Sequence, residues 1–114
     1  MHEASLAEAA LELVVSTARA NGATKVTAIN LAVGVMAEAD AETLAFWIGI
    51  IAEGGPADKA RVSVVEVPAR ATCRECRTEY PVEGPSWSTV CRGCGGTGDV
   101  TAGRELTVAS IEVE

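Results

Sequence analysis

Two Cys-x-x-Cys pairs, Cys73-Arg-Glu-Cys76 and Cys91-Arg-Gly-Cys94, hold all four cysteines of this 114-residue chain, with residues 77–90 between them. Two cysteines three apart on a tight turn can point at one ion. A second such turn completes a tetrahedron of thiolates, which suits zinc. Between Cys73 and Cys94 the large apolar side chains are Tyr80, Val82, Trp87 and Val90. So few groups offset little of the backbone entropy of ordering the segment, roughly 1–2 kcal/mol per residue. A structural zinc contributes on the order of 10 kcal/mol or more and closes the loop by itself. Two disulfides, a redox-active Cys-x-x-Cys or rubredoxin-like iron remain as alternatives at this stage. Disulfides fit worst, because the N-terminus carries Glu3 and Glu8 and no basic cluster ahead of an apolar run. The expectation is therefore no signal peptide and a cytoplasmic location.

The remaining sequence narrows the function. No run of 18 or more apolar residues marks a membrane span. Nine Lys and Arg stand against sixteen Asp and Glu, a net charge of −7. Four-cysteine ribbons that bind nucleic acid need a basic face. Here Arg70, Arg74, Arg77 and Arg92 are offset by Glu75, Glu79, Glu83 and Asp99, so a solvated mixed-charge face is expected. Gly93, Gly95, Gly96 and Gly98 let the backbone turn around a metal and offer amides to sulfur. They are not followed by the Lys and Ser or Thr of a nucleotide-binding loop. A hydrolase is disfavoured: four cysteines leave no open coordination position, and the chain has one histidine.

Around the cysteines, periodicity predicts helices and strands. Residues 4–20 read as a helix with Leu6, Ala10, Leu13, Val14 and Thr17 on one face, stopped by Asn21-Gly22. Residues 24–35 read as a strand, with Ile29, Leu31, Val33 and Val35 on one face and Val26 and Ala28 on the other. Gly34 suggests a bend or bulge there. Residues 41–53 read as a helix capped by Asp40, its buried stripe Leu44, Trp47, Ile48 and Ile51, with Phe46 and Trp47 expected in the core. Residues 60–68 and 104–113 read as strands through Val62, Val64, Val65 and Val67, and through Leu106, Val108, Ile111 and Val113. The fold class is α+β. A two-helix, three-stranded-sheet domain (1–68 plus 103–114) carries an inserted four-cysteine zinc domain (69–102). Strand direction stays open.

The single histidine is His2. At a frayed terminus such a residue is ordinarily solvated. It also has specific chemistry: the Met1 amine, the His2 backbone nitrogen and the His2 imidazole can close fused chelate rings on one ion. Glu3 can add an amide nitrogen or a carboxylate oxygen. Nitrogen-rich square-planar sites favour Ni(II) or Cu(II). Glu3 near the helix start also complements the helix dipole.

Taken together, the two ends resemble the nickel-insertion metallochaperones of NiFe-hydrogenase maturation (HypA/HybF type). Met1-His2-Glu3 with Ser5-Leu6 is similar to that family's opening, and Lys25-Val-Thr27 with Leu31-Ala-Val-Gly34 to its first strand. Asp40 to Phe46 is similar to its second helix. The paired cysteines and Gly103-Arg-Glu-Leu106 through Ser110-Ile-Glu-Val113 complete the likeness. The resemblance implies that His2, with the Met1 amine and Glu3, is the nickel site, and that Cys73, Cys76, Cys91 and Cys94 hold a structural zinc. It implies a non-enzyme that carries Ni(II) as transient cargo to the hydrogenase large subunit with a maturation GTPase. In some organisms such proteins also serve urease maturation. Neither nucleic acid nor membrane is implied as a partner. Some relatives have histidines flanking the zinc cysteines; this chain has none. The competing expectation is an acidic zinc ribbon with a rubredoxin-like electron-transfer role or a nucleic-acid- or protein-binding role.

Overall fold

The computed structural model describes residues 2–114, and of His2 the backbone alone. In chain order the elements are α1 (His2–Ala20), β1 (Val26–Gly34), α2 (Ala41–Ile51), β2 (Arg61–Val67), β3 (Arg70–Cys73), β4 (Glu79–Pro81), β5 (Gly98–Ala102) and β6 (Leu106–Val113). They form two compact units. One comprises residues 1–32, 38–65 and 106–114, and the other residues 33–37 and 66–105. Among the described residues no helix is long and apolar enough to cross a membrane.

In the first unit α1 ends where Asn21-Gly22 predicts. Ala23 N–H donates to Ala18 and Gly22 N–H to Arg19, with Gly22 at φ +75°. This is the paired hydrogen-bond pattern of a left-handed helix stop. The buried stripe of α1 is Ala7, Leu11, Val14 and Ala18. That departs from the expected face: Thr17 is exposed, and Leu13, 53% exposed, lines an open apolar cleft with Leu6 and Ala10. Leu and Ala recur on two faces of this helix, and α1 packs mainly against α2, where alanines permit close approach.

Asp40 caps α2 as expected, its side chain accepting from Thr43 N–H at 3.3 Å. Leu44 and Ile48 are buried, but Phe46 and Trp47 are not core residues: they are 62% and 37% exposed. The helix touches its unit through one i, i+4 stripe. Because α2 is apolar on nearly every side, periodicity alone could not choose that stripe.

The sheet that receives the helices has the order β2-β1-β6. Glu114 N–H donates to Lys25, Thr27 Oγ1 to Glu112, and Gly34 N–H to Glu105. Rising numbers on β1 thus meet falling numbers on β6, so the pair is antiparallel. Val26 N–H donates to Pro56 and Val35 N–H to Val67, so β2 advances alongside β1 in the same direction. Central β1 is buried on both faces through Val26, Ala28, Ile29, Leu31 and Val33.

The second unit holds three strands that hydrophobic periodicity did not reveal. They form a sheet of order β4-β3-β5, antiparallel on both sides of β3. Ala69, Ala71, Cys73, Tyr80, Val82 and Cys91 form a small core, with Val35, Met36 and Trp87 packed against it. The segment around the cysteines therefore has more apolar support than its composition suggested. Much of that support comes from alanine and from the cysteines themselves. Tyr80 Oη donates to the Thr89 carbonyl, and Gly98 leaves room for that ring: a Cβ there would lie 2.0 Å from Tyr80 Oη.

Candidate metal centre

Cys73 ends β3, and the chain turns at once. Cys73 N–H donates to Thr78 at 2.9 Å and Arg77 N–H returns to Cys73 at 3.1 Å. The second pair repeats this pattern. Cys91 N–H donates to Gly96 and Gly95 N–H returns to Cys91, both at 2.8 Å. The residue four after each leading cysteine is left-handed: Arg77 at φ 64° and Gly95 at φ 77°. Glycine reaches that conformation freely and arginine at a cost. In each turn an amide also points at sulfur, Glu75 N–H to Cys73 Sγ and Gly96 N–H to Cys94 Sγ, each at 3.4 Å. Such amides stabilise thiolates.

These two turns bring all four sulfurs within 4.8 Å of one another. Cys73 and Cys94 Sγ lie 3.4 Å apart, and Cys76 and Cys91 Sγ 3.8 Å apart. Four sulfurs about 2.3 Å from a zinc at a tetrahedron's centre lie about 3.8 Å from each other. The spacing fits a single tetrahedral ion. It is well beyond a disulfide bond of about 2.05 Å, and all four cysteines are free.

The electrostatics point the same way. A hydrogen bond with the Thr78 hydroxyl, at 3.2 Å, is the main reason the Cys76 thiol is lowered to about 6. Cys73 is lowered as well, chiefly by a backbone hydrogen bond from Cys76. At Cys94 the Gly96 amide favours the thiolate, but Cys73, burial, Cys76 and Cys91 together push it up to about 12. Four thiolates cannot crowd so closely without a cation among them. Around the cluster three of the four arginines are engaged: Arg74 with Asp99 at 2.6 Å, Arg70 with Glu79 at 3.0 Å and Arg92 with Glu83 at 3.1 Å. These exposed pairs add little stability, and they match the expected mixed-charge face.

At the opposite end of the sequence, Glu3 lies in the first turn of α1, and its Oε2 accepts from Asp40 N–H at 3.2 Å. Met1 and the His2 imidazole lie outside the described residues, so the expected nickel ligands are represented by Glu3 and the His2 backbone. Neither Thr78 at Cys76 nor Asp40 at Glu3 was singled out as a site residue from sequence. Thr78 had a local signal, a hydroxyl two residues after a cysteine. The Asp40 contact spans 37 positions and had none.

Residues 1–113 match the family model described as hydrogenase/urease nickel incorporation metallochaperone, hypA. The chain is 38% identical to the hydrogenase maturation factor HypA of Chlorobaculum tepidum across the whole of both chains. It is 35% identical to that of Azoarcus sp. over 97% of this chain and 96% of the relative. Among solved structures, a HypA solution structure superposes with TM-score 0.79 at 21% identity, covering 100% of this chain and 97% of the other. The Ni metallochaperone HypA from Helicobacter pylori superposes with TM-score 0.72 at 22% identity, covering 99% and 97%. At those identities the structures establish the α+β fold, while the sequence matches establish kinship over the full length. The chain belongs to the HypA family of hydrogenase/urease nickel-incorporation metallochaperones.

Proposed function

We propose that this protein is a nickel metallochaperone that holds Ni(II) at its N-terminus and helps insert it into the NiFe-hydrogenase large subunit. The observation that carries the reading is the closure of the four-cysteine set. With all four sulfurs within 4.8 Å, one tetrahedral ion would use every donor and leave no position for exchange. Cargo is then held elsewhere, and Met1-His2-Glu3, which contains the single histidine of the chain, offers the nitrogen donors for it.

In this reading Cys73, Cys76, Cys91 and Cys94 hold a structural Zn(II). The Met1 amine, the His2 backbone nitrogen and imidazole, and Glu3 hold nickel. Residues 1–68 with 103–114 act as the nickel-binding domain, and residues 69–102 as the inserted zinc domain. Zinc supplies a fixed, redox-inert centre that ties the two turns together. At the nickel site the residues must first lose protons: the amine and imidazole bind only when neutral. Nickel retention therefore weakens as pH falls through the histidine range. Weakening of this kind suits a carrier, which must release what it holds. The partners are a maturation GTPase, the hydrogenase large subunit and, where present, urease maturation proteins. The protein works in the cytoplasm and is not itself an enzyme.

Complementation tests the reading. In a hydrogenase-producing strain lacking its own family member, wild type should restore hydrogenase activity and His2→Ala should not. Added nickel should rescue the His2→Ala strain in part. Full restoration by His2→Ala without added nickel would overturn the proposal.

A further inference from the structure

Four large apolar side chains on α2 stand in solvent: Phe46 at 62% exposure, Ile50 at 44%, and Trp47 and Ile51 at 37% each. At 3.6 residues per turn they form one continuous face, turned away from buried Leu44 and Ile48. The Phe46 and Trp47 rings meet edge to face, centroids 5.8 Å apart and planes at 75°, which holds the aromatic half of the face in place. A contiguous apolar surface on one helix, with large aromatics at its centre, is interface material rather than incidental exposure.

The borders of this face are predominantly acidic. Along one side the helical step places Glu42, and Glu53 follows the C-cap Ala52; both are exposed, and α2 contains no basic residue. Along the other side Ile51 enters a cleft of about 360 Å³ shared with Leu11 and Val15 of α1. Glu8 and Glu12 line that cleft, with Arg19 its one cation. An apolar band between two acidic borders is complementary to an amphipathic helix with aliphatic residues along its centre and Lys or Arg along its edges. A second copy of this chain is a poor match, because it would set Glu42 and Glu53 against the same carboxylates at a net charge of −7 per chain.

We infer that the outward face of α2, with the adjoining α1 cleft, docks a basic amphipathic helix of a partner protein. None of the residues that form this face is among the proposed metal ligands, so the inference does not depend on which metals are bound.

Nuclear magnetic resonance titration of the full chain tests it. The probe is a leucine–lysine peptide of about 15 residues with apolar positions at i, i+3, i+4 and i+7. The control replaces every lysine with glutamate. Amide shifts should fall on residues 42–53 and 8–19. Ile50→Ser and Phe46→Ser, both at exposed positions, should each weaken the lysine peptide by about tenfold or more. Glu42→Lys with Glu53→Lys should weaken it similarly and admit the glutamate peptide. Equal affinity for both peptides, shifts scattered over other surfaces, or indifference to all these variants would overturn the inference. So would sedimentation as a dimer that Ile50→Ser dissociates, since the occupant would then be a second copy. Binding to phosphatidylcholine vesicles that Ile50→Ser abolishes would assign the face to a membrane instead.

Discussion

The Glu3 carboxylate accepts a hydrogen bond from the backbone N–H of Asp40 across 3.2 Å, joining the first turn of α1 to the N-cap of α2. A residue proposed to hold nickel thus also anchors the start of the second helix. Glu3→Ala should lower the unfolding free energy by about 1 kcal/mol. Glu3→Gln, which keeps an acceptor, should lower it less. Urea unfolding followed by circular dichroism separates them. Identical midpoints for all three proteins would show that the contact contributes nothing to the fold.

Gly34 sits at the end of β1 because another stretch of backbone passes there. A Cβ at this position would lie 2.0 Å from the carbonyl oxygen of Gly103, and main chain cannot swing aside as a flexible side chain can. Gly34→Ala should cost about 1–3 kcal/mol or more by overpacking. A urea midpoint equal to wild type would mean that the two segments separate at no cost.

Cys76→Ala tests whether the metal holds the second unit. Ala69, Ala71, Tyr80 and Val82 give that unit a small apolar core, but three strands of four, three and five residues are too short to persist on it alone. The variant should lose zinc, and protease should cut within residues 69–102 while the helices α1 and α2 resist. Unchanged resistance would assign the ordering to the apolar cluster.

Zinc uptake should release protons, and the amount should depend on pH. At pH 7 Cys76, lowered to about 6, is already a thiolate, whereas Cys94, pushed up to about 12, keeps its proton. An incoming cation must displace the Cys94 proton. As pH falls through about 6, Cys76 also takes up a proton, and the cation must displace that one too. Apparent zinc affinity should therefore fall more steeply below pH 6 than above it. Calorimetry in buffers of different ionisation enthalpy measures the release. An observed enthalpy independent of buffer at pH 7 would contradict this account.

Much of the architecture was legible because it rests on local signals. Asn21-Gly22 stops α1 through a left-handed glycine, Asp40 caps α2, and alternating branched residues mark β1. The cysteine spacing foretold four sulfurs at one point. The remainder lay in contacts between segments that the sequence separates. Strands β3, β4 and β5 are too short to show a period, and their buried positions are Ala71, Cys73, Tyr80 and Gly98. On α1 and α2 apolar residues occupy more than one face, so burial was decided by which face met its neighbour. Leu13 and Phe46 consequently face outward, although each belonged to an apolar pattern. The Glu3–Asp40 contact depends on how two helices pack, which no pattern within either helix records.

The central claim is that nickel is held at the N-terminus and not at the cysteines. Ni(II) calorimetry on untagged protein with a free N-terminus, comparing wild type with His2→Ala at equal zinc content, tests it most directly. The account predicts that wild type binds nickel with zinc retained, and that His2→Ala loses nickel binding while its circular dichroism and zinc content are unchanged. Undiminished nickel affinity in His2→Ala would contradict it.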